Sequence, residues 1–246
     1  MKPWKHPLTR DPRAKKHEKH IKEYFQRKTL VSGRTEEPSD TRHGTIIAAD
    51  PYMEPIPRGS TEDNHLWNLL VRAFHPLPFM GGVGRYIRFF VRDSSSHQIL
   101  GCLSLGSAVL KCAPRDSWIG WNLESRLRNL NKVANNRRFL ILPHVKVPNL
   151  ASRILSLLSK VGQDEWQRRY GDPLVLMETF VDSKNPGTCY KAANWFQIGM
   201  TKGFTHVVSR IRPSNGRGIS TYLYTGSKKH IFVKPIVRSW RKELIS

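Results

Sequence analysis

NNRRFLILPHVKVPNLAS, residues Asn135–Ser152, is the stretch on which the fold turns. Arg138-Phe139-Leu140-Ile141-Leu142-Pro143 is short and continuously apolar, as expected of a strand in the middle of a sheet. After a loop, Asn149 opens an amphipathic helix with Leu150, Ile154, Leu157, Leu158 and Val161 at helical spacing. Leu174 to Val181 then reads as a second buried strand. Strand, helix and strand in this order make a crossover unit.

Working outward, Arg85 to Arg92 alternates, with Ile87, Phe89 and Val91 on one face and Tyr86, Arg88 and Phe90 on the other. The polar turn Asp93-Ser94-Ser95-Ser96-His97-Gln98 leads into a second strand at Ile99–Leu105, which makes an antiparallel hairpin. A helix starts at Thr61-Glu62-Asp63-Asn64 and carries Leu66, Leu69, Leu70 and Phe74. Another is expected over Glu124 to Asn135, with Leu127, Leu130 and Val133. Gly81-Gly82-Val83-Gly84 precedes a strand and reads as a turn. Beyond the crossover come a short helix over Cys189–Phe196 and two or three strands between Val207 and Val233. The expected fold is α+β, a mixed and mostly antiparallel sheet flanked by helices. Residues 59–246 form one such domain with a basic C-terminal tail. Residues 1–58, broken by Pro38, Pro51, Pro55 and Pro57, form a basic arm and linker.

Among the 246 residues, 41 Lys and Arg oppose 19 Asp and Glu, a formal charge of +22. Such an excess repels itself, and a polyanion relieves the repulsion by releasing its condensed counterions. Nucleic acid, DNA or RNA, is the partner this implies, ahead of a merely solubilising surface or an anionic membrane. The candidate phosphate contacts are Lys15, Lys16, Lys19, Arg137, Arg138, Lys228 and Lys229. An apolar content of 39% with seven Trp suffices for a hydrophobic core. Three cysteines without CxxC spacing argue against a disulfide scaffold and a cysteine-built zinc site. His17 and His20 lack carboxylate or cysteine partners, so no metal site is expected. No apolar run approaches the length of a membrane span, and the start has no apolar signal region, so a cytoplasmic or nucleoid-associated location follows. Walker A, GxGxxG, HExxH, EF-hand and GxSxG patterns are absent.

The helix start after Asn149 presents free backbone N–H groups, which hold a phosphate without special side chains. Lys146, Asn149, Leu150, Ala151 and Ser152 are therefore the candidate phosphate-binding residues. Later come Glu178-Thr179-Phe180-Val181-Asp182 and Gly187 to Gly199. A strand, a phosphate-ready helix, a strand and a short helix ending in Gly together resemble the core of the GNAT acyltransferases. The GNAT pyrophosphate signature falls here on Lys146, Asn149 and Ala151, so Asn stands for the central Gly, and Pro148 removes one N–H. The proton-donating Tyr of the family is replaced by Trp195, whose indole is no useful acid at neutral pH. Tyr190 and Cys189, about one helical turn earlier, are the residues that would substitute. Acetyl-CoA is the cofactor this resemblance implies. The changed loop points instead to a polyphosphate, a nucleotide, the phosphate of bound nucleic acid or an empty site.

Glu178 lies in a strand expected to be buried, where an unpaired carboxylate is costly. It is either a general base with a raised pKa or the partner of an arginine such as Arg115 or Arg138. Asp116 beside Arg115 suggests an internal ion pair. Trp118, Trp121 and Trp195 suit a core, with base stacking as their other use. Asn135, Asn136 and Asn194 either line a site or cap helices.

The runs RDSWIGW, NNRRFLILPHVKVPNLAS and LMETFVDSKNPGTCYKAANWFQIGMTKG, in this order, resemble the family of the A component of the Druantia anti-phage system, whose relatives also occur with transposases. The resemblance covers roughly Leu66 to Gly203. It implies phage defence, a phage or a mobile element, with a helicase or transposase as partner, and it names no molecular activity. The function expected is a nucleic-acid-binding or DNA-acting accessory protein of such a system. The alternative is a GNAT-type acyl- or group transferase acting on nucleic acid or protein through Glu178, Tyr190 and Cys189.

Overall fold

The computed structural model describes residue 19 and residues 41–42, 45–77, 84–208, 220–224 and 226–246. In chain order the elements are β1 (Thr41–Arg42), β2 (Thr45–Ile46), β3 (Pro51–Pro55), α1 (Thr61–Phe74), β4 (Tyr86–Asp93), β5 (Ile99–Ser107), α2 (Ala113–Ile119), α3 (Leu123–Asn129) and β6 (Val133–Ile141). Then follow α4 (Leu150–Tyr170), β7 (Leu176–Asp182), α5 (Thr188–Ala192), β8 (Phe196–Met200), β9 (Phe204–Val208), β10 (Ser220–Tyr224), β11 (Lys229–Pro235) and α6 (Trp240–Ile245). The fold class is the expected α+β, and the paired strands named below are all antiparallel. The chain divides into two compact units, Met1–Ser107 with Ala134–Leu174, and Ala108–Val133 with Val175–Ser246.

In the first unit, Ser60 caps α1, accepting from the Asp63 N–H, while Glu62 and Asp63 face the positive helix end. The helix buries Leu66, Trp67, Leu69, Leu70, Val71 and Phe74. The expected hairpin is β4–β5, in register Ile87↔Leu105 and Phe89↔Leu103. Its turn is organised by Asp93, whose carboxylate accepts from Ser95 Oγ (2.5 Å), Ser96 N (3.0 Å) and Asp50 N (2.8 Å). Ile87, Phe89 and Val91 are buried as the alternation requires, and Phe90 is buried too.

Three expectations change here. The span read as linker contains β3, which pairs with β4 from Pro51↔Asp93 to Pro55↔Phe89. Its prolines fit because β3 ends this run of strands, where a missing N–H breaks no inner ladder. The helix expected to reach Asn135 stops at Asn129, and a 3-10 turn over Leu130–Lys132 leads into β6. Pairing of Ala134–Ile141 with β5 outweighs the local helical spacing, and Asn136 Nδ2 donates to Ser104 O and Arg138 O at 3.2 Å. The crossover helix α4 follows as expected, but Asn149 does not cap it with its side chain. Asn149 is left-handed (φ 56°), and Ser152 Oγ donates to its carbonyl at 2.9 Å.

In the second unit, β11 runs between β7 and β8, in register Val233↔Glu178 and His230↔Met200. Its core gathers Ala108, Ile119, Val133, Val175, Leu176, Val233 and Leu244, packed round by Trp118, Trp121, Leu130, Ile198, Val237 and Trp240. The short helix expected to reach Phe196 ends at Ala192, because Asn194 (φ 60°) turns the chain into β8. Left-handed Gly187 precedes α5, and a Cβ there would lie 2.4 Å from the Phe232 ring. β9 and β10 form a hairpin. The reading of Gly81–Val83 as a turn, and the parts of the Val207–Val233 region at 209–219 and 225, lie outside the described residues.

Candidate functional site

Glu178 is wholly buried on β7, and Arg115, equally buried, reaches it from α2. Arg115 Nη1 donates to Glu178 Oε2 at 2.8 Å, and the Val109 N–H donates to Oε1 at 2.8 Å. The rest of the guanidinium is also engaged. Nη1 donates to Val109 O at 2.7 Å, while Nε and Nη2 donate to Asp116 Oδ1 at 3.0 and 2.7 Å. Arg126 Nη1 closes the set on Asp116 Oδ2 at 3.0 Å, and the Trp121 ring lies 5.3 Å from the Arg115 guanidinium carbon. Of the two arginines weighed for Glu178, Arg115 is the one in place.

Two cations and two carboxylates cancel within this network, which is the condition for burying charge. Burial pushes the Glu178 carboxyl above its ordinary value, against the Arg115 charge and the Val109 N–H. Burial alone would lower Arg115, but Glu178 and Asp116 hold it above its ordinary value. Together the pair grips both backbone groups of Val109, so the network shapes the loop leading into α2. Burial raises the Tyr190 phenol, which is hydrogen-bonded to Thr179, and raises the Cys189 thiol. Cys112 is pushed up to about 11 by burial. All three groups are therefore neutral at pH 7.

Glu178, Tyr190 and Cys189 belong to the second unit; Lys146 and Asn149–Ser152 belong to the first. Lys146 is exposed and its backbone N–H donates to Ile46 O at 2.8 Å. At the α4 start, Leu150 is buried, Asn149 is exposed, and Ala151 and Ser152 are half-buried. Arg137 and Arg138 are half-buried on β6, where Arg137 lies 5.9 Å from the Tyr86 ring centroid and Arg138 Nη1 donates to Arg137 O at 2.9 Å. Lys228 is exposed and Lys229 half-buried at the start of β11. Lys19 is exposed and helical, whereas Lys15, Lys16, His17 and His20 lie outside the described residues. Trp195 is buried, with its indole N–H unbonded.

Reasoning from sequence offered base stacking as a second use of Trp118 but missed the aromatic and cationic face on the second unit to which it belongs. Trp118 of α2 stacks on Trp240 of α6 with centroids 4.3 Å apart and planes 5° apart. Phe196 of β8 lies 6.4 Å from Trp118, tilted by 32°. The Arg241 guanidinium covers Trp240 at 4.5 Å and Trp118 at 5.7 Å, and its Nη1 donates to Trp118 O at 3.3 Å. The end of α6 is held by donors from the α3 region. Asn129 Nδ2 donates to Leu244 O and Ser246 O at 3.0 and 2.9 Å, and Lys132 Nζ to Glu243 O at 3.1 Å. These bonds satisfy carbonyls that a helix end leaves open. A signal for this face exists in the sequence: from Ser183 to Ser246, twelve Lys and Arg accompany one acid, Glu243.

Among the described residues no helix is long and apolar enough to cross a membrane, and no cluster of three or more His, Cys, Asp or Glu could hold a metal ion. Among solved structures, the spermidine N-acetyltransferase of Vibrio cholerae, in complex with CoA and spermine, is similar at 14% identity and a TM-score of 0.41, covering 75% of this chain and 95% of that one. A GNAT-family acetyltransferase from Bacillus anthracis is similar at 10% identity and a TM-score of 0.36, covering 61% and 66%. The Druantia protein DruA of Escherichia coli (strain UMEA 4076-1) is 25% identical over 186 residues, 74% of this chain and 43% of that protein. The chain thus spans less than half the length of this curated relative. The family model for Druantia protein DruA matches residues 7–210, and with most of its length so matched the chain belongs to the DruA family of the Druantia anti-phage system.

Proposed function

We propose that this chain is a nucleic-acid-binding protein of a phage-defence system, working in the cytoplasm beside a helicase or transposase of that system. The observation that carries the reading is the charge of +22 and its concentration where twelve cations meet one acid over residues 183–246. Each phosphate neutralised by Lys or Arg releases condensed counterions, so binding gains most at low salt. Residues 1–28 add ten Lys and Arg against three acids, which suits a basic arm tracking phosphates. The start of α4 adds backbone donors suited to a phosphate, and the exposed side chain of Lys146 adds a cation.

Glu178 serves this reading as the internal partner of Arg115, not as a base. Both its carboxylate oxygens already accept hydrogen bonds. The transferase alternative needs a proton acceptor and a donor near neutral pH. Burial has moved the Tyr190 phenol and the Cys189 thiol away from that range.

The test is a filter-binding titration with duplex and single-stranded DNA and with RNA, from about 50 to 200 mM salt. Binding that falls steeply, with a log–log slope of several units, is the expected result. No affinity for any of the three at the lowest salt overturns the reading.

A further inference from the structure

We infer that the Phe196–Trp118–Trp240–Arg241 face of the second unit is a stacking platform for an unpaired nucleic-acid strand; this rests on the nucleic-acid reading and narrows it to a substrate class. Phe196 leaves 56% of its surface in solvent although its ring lies 6.4 Å from that of Trp118. Trp118 and Trp240 already stack face to face, and Arg241 holds that pair from one side. The Phe196 ring lies next to Trp118, tilted by 32°, with more than half of its surface in solvent.

The same strand carries the apolar character further. Met200, at the other end of β8, is 40% exposed, and Phe204 just beyond it is 55% exposed. Thr201 and Lys229 exchange hydrogen bonds at 2.9 and 3.0 Å, which brings the Lys228–Lys229 pair to that end of β8. β8 ends its run of strands, so its outer edge carries no further strand among the described residues. Arg238, Arg241 and Lys242 are exposed at the α6 end of the face, and Lys202 at the β8 end.

The charge identifies the occupant. An exposed apolar surface flanked by acids and bases alike would suit a protein partner. Here Glu243 is the sole acid between Ser183 and Ser246, and its carboxylate accepts from Ser239 Oγ at 2.5 Å. Aromatic faces between cations fit a polyanion that has flat apolar groups to offer. A duplex keeps its base faces inside its own stack, whereas an unpaired strand presents them, so stacking selects the unpaired strand and the lysines and arginines follow its backbone.

The experiment uses the full chain, an oligothymidylate of about 15 nucleotides and a duplex of the same length at about 50 mM salt. The expected result is tighter binding of the single strand, quenching of tryptophan emission on binding, and roughly tenfold weaker single-strand binding for Phe196→Ala. Phe196→Tyr should retain wild-type affinity, and duplex binding should be the same for all three proteins. The thermal transition of Phe196→Ala should match that of the wild type, because the ring is mostly exposed. Equal single-strand affinity for the wild type and Phe196→Ala overturns the platform while leaving the nucleic-acid reading in place. Failure of the wild type to bind either oligonucleotide, or an RNA of the same length, overturns that reading itself.

Discussion

Arg115 Nη1 stands 2.8 Å from Glu178 Oε2, and neither side chain touches solvent. The two residues are 63 positions apart; without Arg115 the buried Glu178 carboxylate loses its cation, whereas Arg115 without Glu178 still holds Asp116.

Cutting this pair from one side should therefore be severe. Arg115→Met alone is expected to cost about 3–5 kcal/mol in urea unfolding, because Glu178 is left buried without a cation, and Glu178→Leu should cost less, because Arg115 keeps Asp116. The double variant should recover much of the loss, since two apolar side chains of similar size remove both charges together. If the double variant loses the sum of the two single losses, the two residues are not energetically coupled.

Acid should weaken the first unit through His144, which burial lowers from 6.5 to about 4. A histidine depressed on folding takes up its proton more readily in the unfolded chain. Its contribution is therefore fully present above about 6.5 and is lost as pH falls towards about 4, by at most about 3 kcal/mol. His75 is lowered to about 4 by burial and then by the Arg138 charge, and it adds in the same direction with more solvent screening. Urea midpoints measured between pH 7.5 and about 4.5 should fall with acid, and His144→Gln should flatten the dependence. A midpoint constant over that range would contradict the burial of these rings.

Deleting residues 1–28 is expected to weaken nucleic-acid binding and leave the thermal transition within a few degrees. On duplex DNA the log–log salt slope should become shallower by about 0.9 for each phosphate that the shortened protein no longer neutralises. A deleted protein that aggregates or melts far lower would assign these residues to the fold.

At the α4 junction, Asn149→Gly should stabilise slightly, by up to about 1 kcal/mol, because a side chain at φ 56° is strained and this one makes no capping bond. Asn149→Asp tests whether the junction meets phosphate. Its carboxylate would repel a bound phosphate at constant fold stability, so oligonucleotide affinity measured by calorimetry should fall several-fold. Equal affinity would make the junction scaffold only.

What the sequence by itself determined was local or additive. The apolar spacing of Leu150, Ile154 and Leu158 sufficed for α4, as did the alternation of Ile87, Phe89 and Val91 for β4, because helix and strand periods are properties of neighbouring residues. Asp93 and its serines determined a turn for the same reason, and net charge is a sum over composition. The tertiary structure decided the rest. It drew Ala134 and Asn135 out of an expected helix into a ladder with β5, and let Pro51 and Pro55 serve in an edge strand. It selected Arg115 over Arg138 for Glu178, and it stacked Trp118 on Trp240 from far along the chain. Those outcomes depend on which distant groups packing brings within a few ångströms, and neither periodicity nor composition carries that information.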